Sequence, residues 1–174
     1  MRILHAGVIT ARQTRLIGER VRALATILLT RREDVSIQEL AEDIGLGLIV
    51  TIQHEEKPGL RQFGVKTRGV WARLTAEDAN AVLSPSMRKL LRDGPFPYPV
   101  VLFLYTMEDG GGWYTWATGP YIGSNGDFEL RANEEASCRR LEEKAPDEII
   151  GRVGAWHVAS FAKTIKGTPR ERKE

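Results

Sequence analysis

The stretch "DIGLGLIVTI", Asp43 to Ile52, followed shortly by "RQFGVKTRG", Arg61 to Gly69, decides the fold. Leu46, Leu48, Val50 and Ile52 alternate with Gly47, Ile49, Thr51 and Gln53, the period-two pattern of a strand. "HEEKPGL" breaks the run with Pro58 and Gly59, as a hairpin connection does. The next strand, about Arg61 to Arg68, places Phe63 and Val65 on one face and Gln62, Gly64, Lys66 and Arg68 on the other. An antiparallel pair is expected, one strand apolar and the other carrying cations.

The flanking segments surround this pair with helices and a second hairpin. Ile17, Val21, Leu24 and Leu28 recur at helical spacing between about Ala11 and Thr30. "VSIQELAED" forms an element whose type its length leaves open. Thr75 suits an N-cap with Asp78 three residues on, and "SPSMRKLLRDG" reads as a further helix that starts near Pro85 and stops at Gly94. "YPVVLFLYT" is a continuous apolar run, expected as a strand buried on both faces at about 99–106. "MEDGGG" is a turn into a neighbouring strand, "WYTWAT". "PDEIIGRVGAWHVASFAKTI" opens with Pro146 and two acids and places Ile149, Val153 and Trp156 at helical spacing. The expected fold is α/β, a mixed central sheet flanked by helices, in a single domain over residues 1–165. The basic tail 166–174 is expected to be mobile.

With 174 residues, 42% apolar and 28% charged, the chain has the composition of an ordinary globular domain with a real core. One cysteine, Cys138, leaves no intrachain disulfide and suits a reducing compartment; the cytoplasm is the expected location. His5, His54 and His157 lack the spacing of a metal-binding pair. No stretch has the length of a membrane span. The net charge is only +2, but residues 1–32 hold seven arginines against Glu19 alone, whereas 133–148 hold six acids against three bases. A basic N-terminal face suits a polyanion such as DNA or RNA; a solvated arginine-rich helix is the plainer reading.

Five short motifs, taken in order, carry a resemblance. "IGE" (Ile17 to Glu19), "DIGLG" (Asp43 to Gly47), "FGVKTR" (Phe63 to Arg68), "YPVVLFLY" (Tyr98 to Tyr105) and "WYTW" (Trp113 to Trp116), with Trp156 on a closing helix, resemble a small bacterial family of the restriction-endonuclease-like, or PD-(D/E)xK, superfamily. The resemblance covers about residues 12–160. It implies catalytic positions at Glu19, Asp43 and Lys66, metal ligands at Glu19 and Asp43, and Mg²⁺ as the cofactor if the site is active. Two departures imply a degenerate site, with no cofactor required. The family's second aspartate falls on Gly47. Its Gln-x-Lys falls on Lys66 and Arg68, or, after a two-residue slip, on Gly64 and Lys66.

The resulting expectation is a nucleic-acid-binding pseudonuclease, an accessory component of a bacterial defence or mobile-element system. Arg12, Arg15, Arg22, Gln62, Lys66 and Arg68 are its candidate nucleic-acid contacts. A live Mg²⁺-dependent DNase is one alternative. Another is a protein-interaction subunit, within a defence complex, that uses the acidic 133–148 segment and binds no nucleic acid. Each residue also has a plainer role. Glu19 can pair with Arg15 or Arg22, Asp43 can cap a turn, Lys66 and Arg68 can be solvated strand charges, and His157 can be a satisfied, half-buried histidine. Trp113, Tyr114 and Trp116 suit sheet packing better than base stacking. In the gap-free alignment, Gly47→Asp with Lys66→Gln and Arg68→Lys is expected to rebuild the metal site.

Overall fold

The computed structural model describes residues 10–40, 45–54 and 60–167. Their elements run α1 (Ala11–Leu29), β1 (Val35–Glu39), β2 (Leu48–Ile52), β3 (Arg61–Val70), α2 (Ala76–Asp93), β4 (Val100–Thr106), β5 (Gly112–Ile122), β6 (Phe128–Ala132), β7 (Arg139–Arg140) and α3 (Ala145–Gly167). One mixed sheet has the order β1-β2-β3-β4-β5-β6, and β7 also pairs with β5. The expected hairpin is present, with Leu48 opposite Val65 and Val50 opposite Phe63. Only β3 and β4 run parallel, because α2 carries the chain back between them. No described helix is long and apolar enough to cross a membrane.

Helices cover both faces of the sheet. Val21, Ala25 and Leu29 of α1 and Ile149, Ile150 and Val153 of α3 pack with Leu48, Val50, Phe63, Val65, Val101 and Phe103. On the other face, Ala79, Leu83, Met87 and Leu90 of α2 pack with Ile49, Leu102 and Leu104. Every residue of β4 is therefore buried, as its unbroken apolar run requires. Each large side chain fully buried there contributes about 1.5–3 kcal/mol. A capping box between Thr10 and Gln13 fixes the start of α1. Its approach to β3 depends on Gly69: a Cβ there would lie 2.3 Å from Ile17 Cγ2 and 2.8 Å from Val21 Cγ1.

Several expectations change. "VSIQE" is an edge strand whose Val35 and Ile37 pack on the α1–α3 core. The segment 76–93 is one helix that runs through Pro85 rather than a new helix starting there. Pro85 is exposed, and the apolar face of α2 continues past it from Leu83 to Met87, so packing overrides the missing amide donor. Leu46 does not share a face with Leu48, because the regular ladder begins only at Leu48 and Leu46 joins the α2 cluster. The strands β6 and β7 were not expected. α3 extends to Gly167, so the first two residues of the anticipated tail are helical; 168–174 lie outside the described residues.

Candidate functional site

The residues assigned to a nuclease site are divided by the sheet. Gly64, on β3, faces Leu46 and Tyr98 of the α2 layer, and Arg68 reaches α2 itself. Alternation therefore sets Gln62, Lys66 and Arg68 on the α2 side of the sheet, while Glu19 lies on α1 against the opposite face. The Arg68 guanidinium donates to the Val82 carbonyl at 2.9 Å and to Ser86 Oγ at 2.7 Å, adding a donor in the turn where Pro85 has none. Gln62 Nε2 donates to Thr51 Oγ1 across the hairpin, and Lys66 is half-buried. Glu19 forms an exposed pair with Arg15 at 3.5 Å. Asp43 lies outside the described residues, as does His5.

Gly47 turns toward α1. A Cβ there would meet Thr67 Oγ1 at 3.6 Å and Arg22 Cδ at 3.9 Å. An aspartate introduced at this position would thus pair with Arg22, while Lys66 and Arg68 stay on the far side of the sheet. The three substitutions expected to rebuild one metal site would fall on two faces. His157 has a structural role: its Nε2 lies 3.1 Å from the Gln62 amide nitrogen and 2.9 Å from the Gln62 carbonyl oxygen. Burial lowers its pKa from the ordinary histidine value, as expected for a satisfied, half-buried ring.

The two oppositely charged segments meet within the molecule. Arg32 pairs with Asp34 at 2.6 Å and with Asp147 at 2.7 Å, and Arg31 pairs with Glu143 at 3.4 Å. The hydrogen bond from Arg32 holds the Asp34 carboxyl below its usual range. Part of the acidic segment is thereby committed to the C-terminal end of α1. What remains of the basic segment is the exposed side of α1, where Arg12 and Arg20 make no ion pair among the described residues.

A concavity with a different lining lies on the outer edge of β5. β7 pairs with Trp113 and Tyr114, and β6 pairs with Thr118 to Ile122; between them Asn133 donates from its backbone amide to the Ala117 carbonyl and from Nδ2 to the Trp116 carbonyl. On its inner edge β5 carries a bulge at the same place: Val100 faces Thr118 and Val101 faces Trp116, so Ala117 is the extra residue. Simple alternation would set Gly119 and Tyr121 opposite Tyr114 and Trp116. The inserted residue reverses the phase, and all four line one notch of about 260 Å³.

Three arginines converge on this notch from different elements: Arg131 of β6, Arg139 of β7 and Arg152 of α3. Arg131 lies 3.1 Å from the Tyr121 ring centroid and pairs with Glu129 through Nε at 2.5 Å. Arg152 sits 5.6 Å from the Trp116 ring centroid and donates from Nε to the Pro120 carbonyl. Arg139 and Arg152 make no ion pair among the described residues. Asn133 and Glu135 complete the rim. The sequence reading weighed Trp116 for stacking but missed the arginines. The available signal was "SNGD", Ser124 to Asp127, a turn between the two strands that place Tyr121 and Arg131 together. Comparison of the chain with known family models, curated proteins and solved structures gives no match.

Proposed function

We propose that the chain is a nucleic-acid-binding accessory domain on a restriction-endonuclease-like plan, serving a bacterial defence or mobile-element system without cutting. The observation that carries this reading is the charge left exposed on α1. Arg12, Arg15 and Arg20 stand exposed there against one acid, Glu19, which pairs with Arg15, after Arg31 and Arg32 have been drawn to Asp34, Glu143 and Asp147. An exposed surface with an excess of arginine attracts phosphate without reading sequence. The absence of cutting rests on the division described above: Glu19 and Lys66 do not face one point, and a metal-assisted cleavage site needs its ligands to converge.

Fluorescence anisotropy with DNA and RNA duplexes at low and moderate salt tests the reading. Micromolar-range affinity that falls steeply with salt is expected, and replacing Arg12, Arg15 and Arg20 together by alanine should flatten the salt slope by roughly 0.9 for each phosphate that is no longer neutralised. No binding at low salt would favour the protein-interaction alternative. A plasmid assay with Mn²⁺ or Mg²⁺ should show no nicking, for the parent or for Gly47→Asp/Lys66→Gln/Arg68→Lys. Cleavage by the parent would overturn the non-cutting reading.

A further inference from the structure

We propose that the notch at the outer edge of β5 is a binding site for one nucleoside phosphate, either free or as an unpaired nucleotide of a strand. It stands apart from the α1 surface and does not depend on it. Three features carry the inference. The first is charge: Arg131, Arg139 and Arg152 converge from three elements on a space whose rim holds one acid, Glu135. Guanidinium groups match phosphate oxygens in pairs, and two of these three are oriented by bonds from Nε, to Glu129 and to the Pro120 carbonyl.

The second is a flat apolar wall. The rings of Trp116 and Tyr121 line the notch with guanidinium groups at 5.6 Å and 3.1 Å from their centroids, and a nucleobase would stack there against a guanidinium plane or in its place. Gly119 keeps the floor open beside Trp116, since a Cβ there would lie 3.4 Å from Trp116 Cβ. The third is a polar rim of Asn133, Glu135 and Ser137 beside the rings, which offers groups to the edge of a base, while Asn133 closes the adjoining strand edge by donating to the Trp116 and Ala117 carbonyls. The bulge that assembles the wall falls at Ala117, whose carbonyl accepts from the Asn133 amide. A site of about 260 Å³ is near the small end for ligand pockets and suits one nucleotide rather than a folded partner.

Titration of the full chain with nucleoside monophosphates, read by tryptophan fluorescence and calorimetry, tests the proposal. Saturable binding is expected, with the matching nucleoside alone and inorganic phosphate alone each at least about tenfold weaker, because each forfeits one of the two contacts. Arg152→Met keeps the stem over Trp116 but removes the charge, and should weaken binding by about tenfold or more. Gly119→Val should weaken it by filling the floor, and thermal melting of both variants checks that they fold. Equal affinity per nucleotide for a monophosphate and a short single-stranded oligonucleotide identifies a free nucleotide as the ligand. Much tighter oligonucleotide binding, abolished in Gly119→Val, identifies an unpaired nucleotide of a strand. Monophosphate binding by a protein that ignores duplexes at low salt would uphold the notch and sink the α1 reading. Duplex binding without any monophosphate or oligonucleotide response at the notch would do the reverse. An acidic peptide that saturates the site where nucleotides fail, or affinities that both folded variants leave intact, would overturn the proposal.

Discussion

β3 and β5 flank the central strand β4, and both bring cations together with glycines, yet the two regions use them differently. On β3 the cation-bearing face stays partly open: Lys66 is half-buried, and the exposed Arg68 reaches across to bond α2, which packs over β4 and β5. On β5 the ladder is interrupted by a bulge, and arginines from β6, β7 and α3 stand around aromatic rings at a notch. An arginine beside the sheet thus acquires its role from the neighbour its guanidinium reaches. The bulge at Ala117 contributes, because it turns four residues of β5 toward one notch, whereas the regular register of β3 leaves Arg68 within reach of the α2 backbone.

The largest expected effect separates the two regions through their glycines. Gly69→Val should destabilise the fold by about 3 kcal/mol or more, because Ile17 and Val21 of α1 leave no room for a Cβ and the helix must lift from β3. Gly119→Ala, in the notch, meets only ordinary contacts at 3.4 Å and 3.5 Å and should change stability by less than about 0.5 kcal/mol. Urea denaturation with unchanged slope would measure both. Equal losses at the two positions would erase the distinction between a closed and an open region.

Arg68→Met comes next. It removes two bonds to α2 beside Pro85 and should cost about 1 kcal/mol in the same assay. Arg139→Met, at the exposed rim of the notch, should cost no more than about 0.5 kcal/mol. A reversal of that order would place the structural arginine in the notch and the spare one on β3.

How much of this was legible in the sequence follows the same division. The β2–β3 hairpin and the buried β4 announce themselves through local alternation and an unbroken apolar run, so both were readable. Pro85 misled because local rules place proline at a helix start, whereas the apolar face of α2 continues from Leu83 to Met87 regardless. Leu46 misled because alternation was extended one residue pair past the point where the ladder begins. The split of Glu19 from Lys66 could not be read, since the sequence gives β3 two faces but not which one α1 will cover. The notch was hidden for a further reason: it needs a bulge at Ala117 and the meeting of Trp116, Arg131, Arg139 and Arg152, which no local pattern links.

The smallest expected effect is a pH dependence that belongs to the β3 region alone. His157, on α3, meets the backbone of Gln62 at the start of β3, and burial, with the Arg61 charge adding to it, lowers its pKa below the unfolded value of about 6.5. As pH falls below about 6.5 the unfolded chain therefore takes up a proton that the folded ring resists. The unfolded state then binds more protons, so stability rises with pH in this window and is lost on acidification until the folded pKa is passed. Asp34, Asp78, Asp109 and Asp127 are all held below their usual range, so their contributions disappear only at lower pH and leave the histidine window clear. The arginines of the notch keep their charge throughout. Denaturation midpoints measured between pH 8 and pH 5 should accordingly decline for the parent, and less for His157→Gln, which retains a hydrogen-bonding group but cannot titrate. An identical decline in the variant would assign the acid sensitivity to groups other than the α3–β3 link.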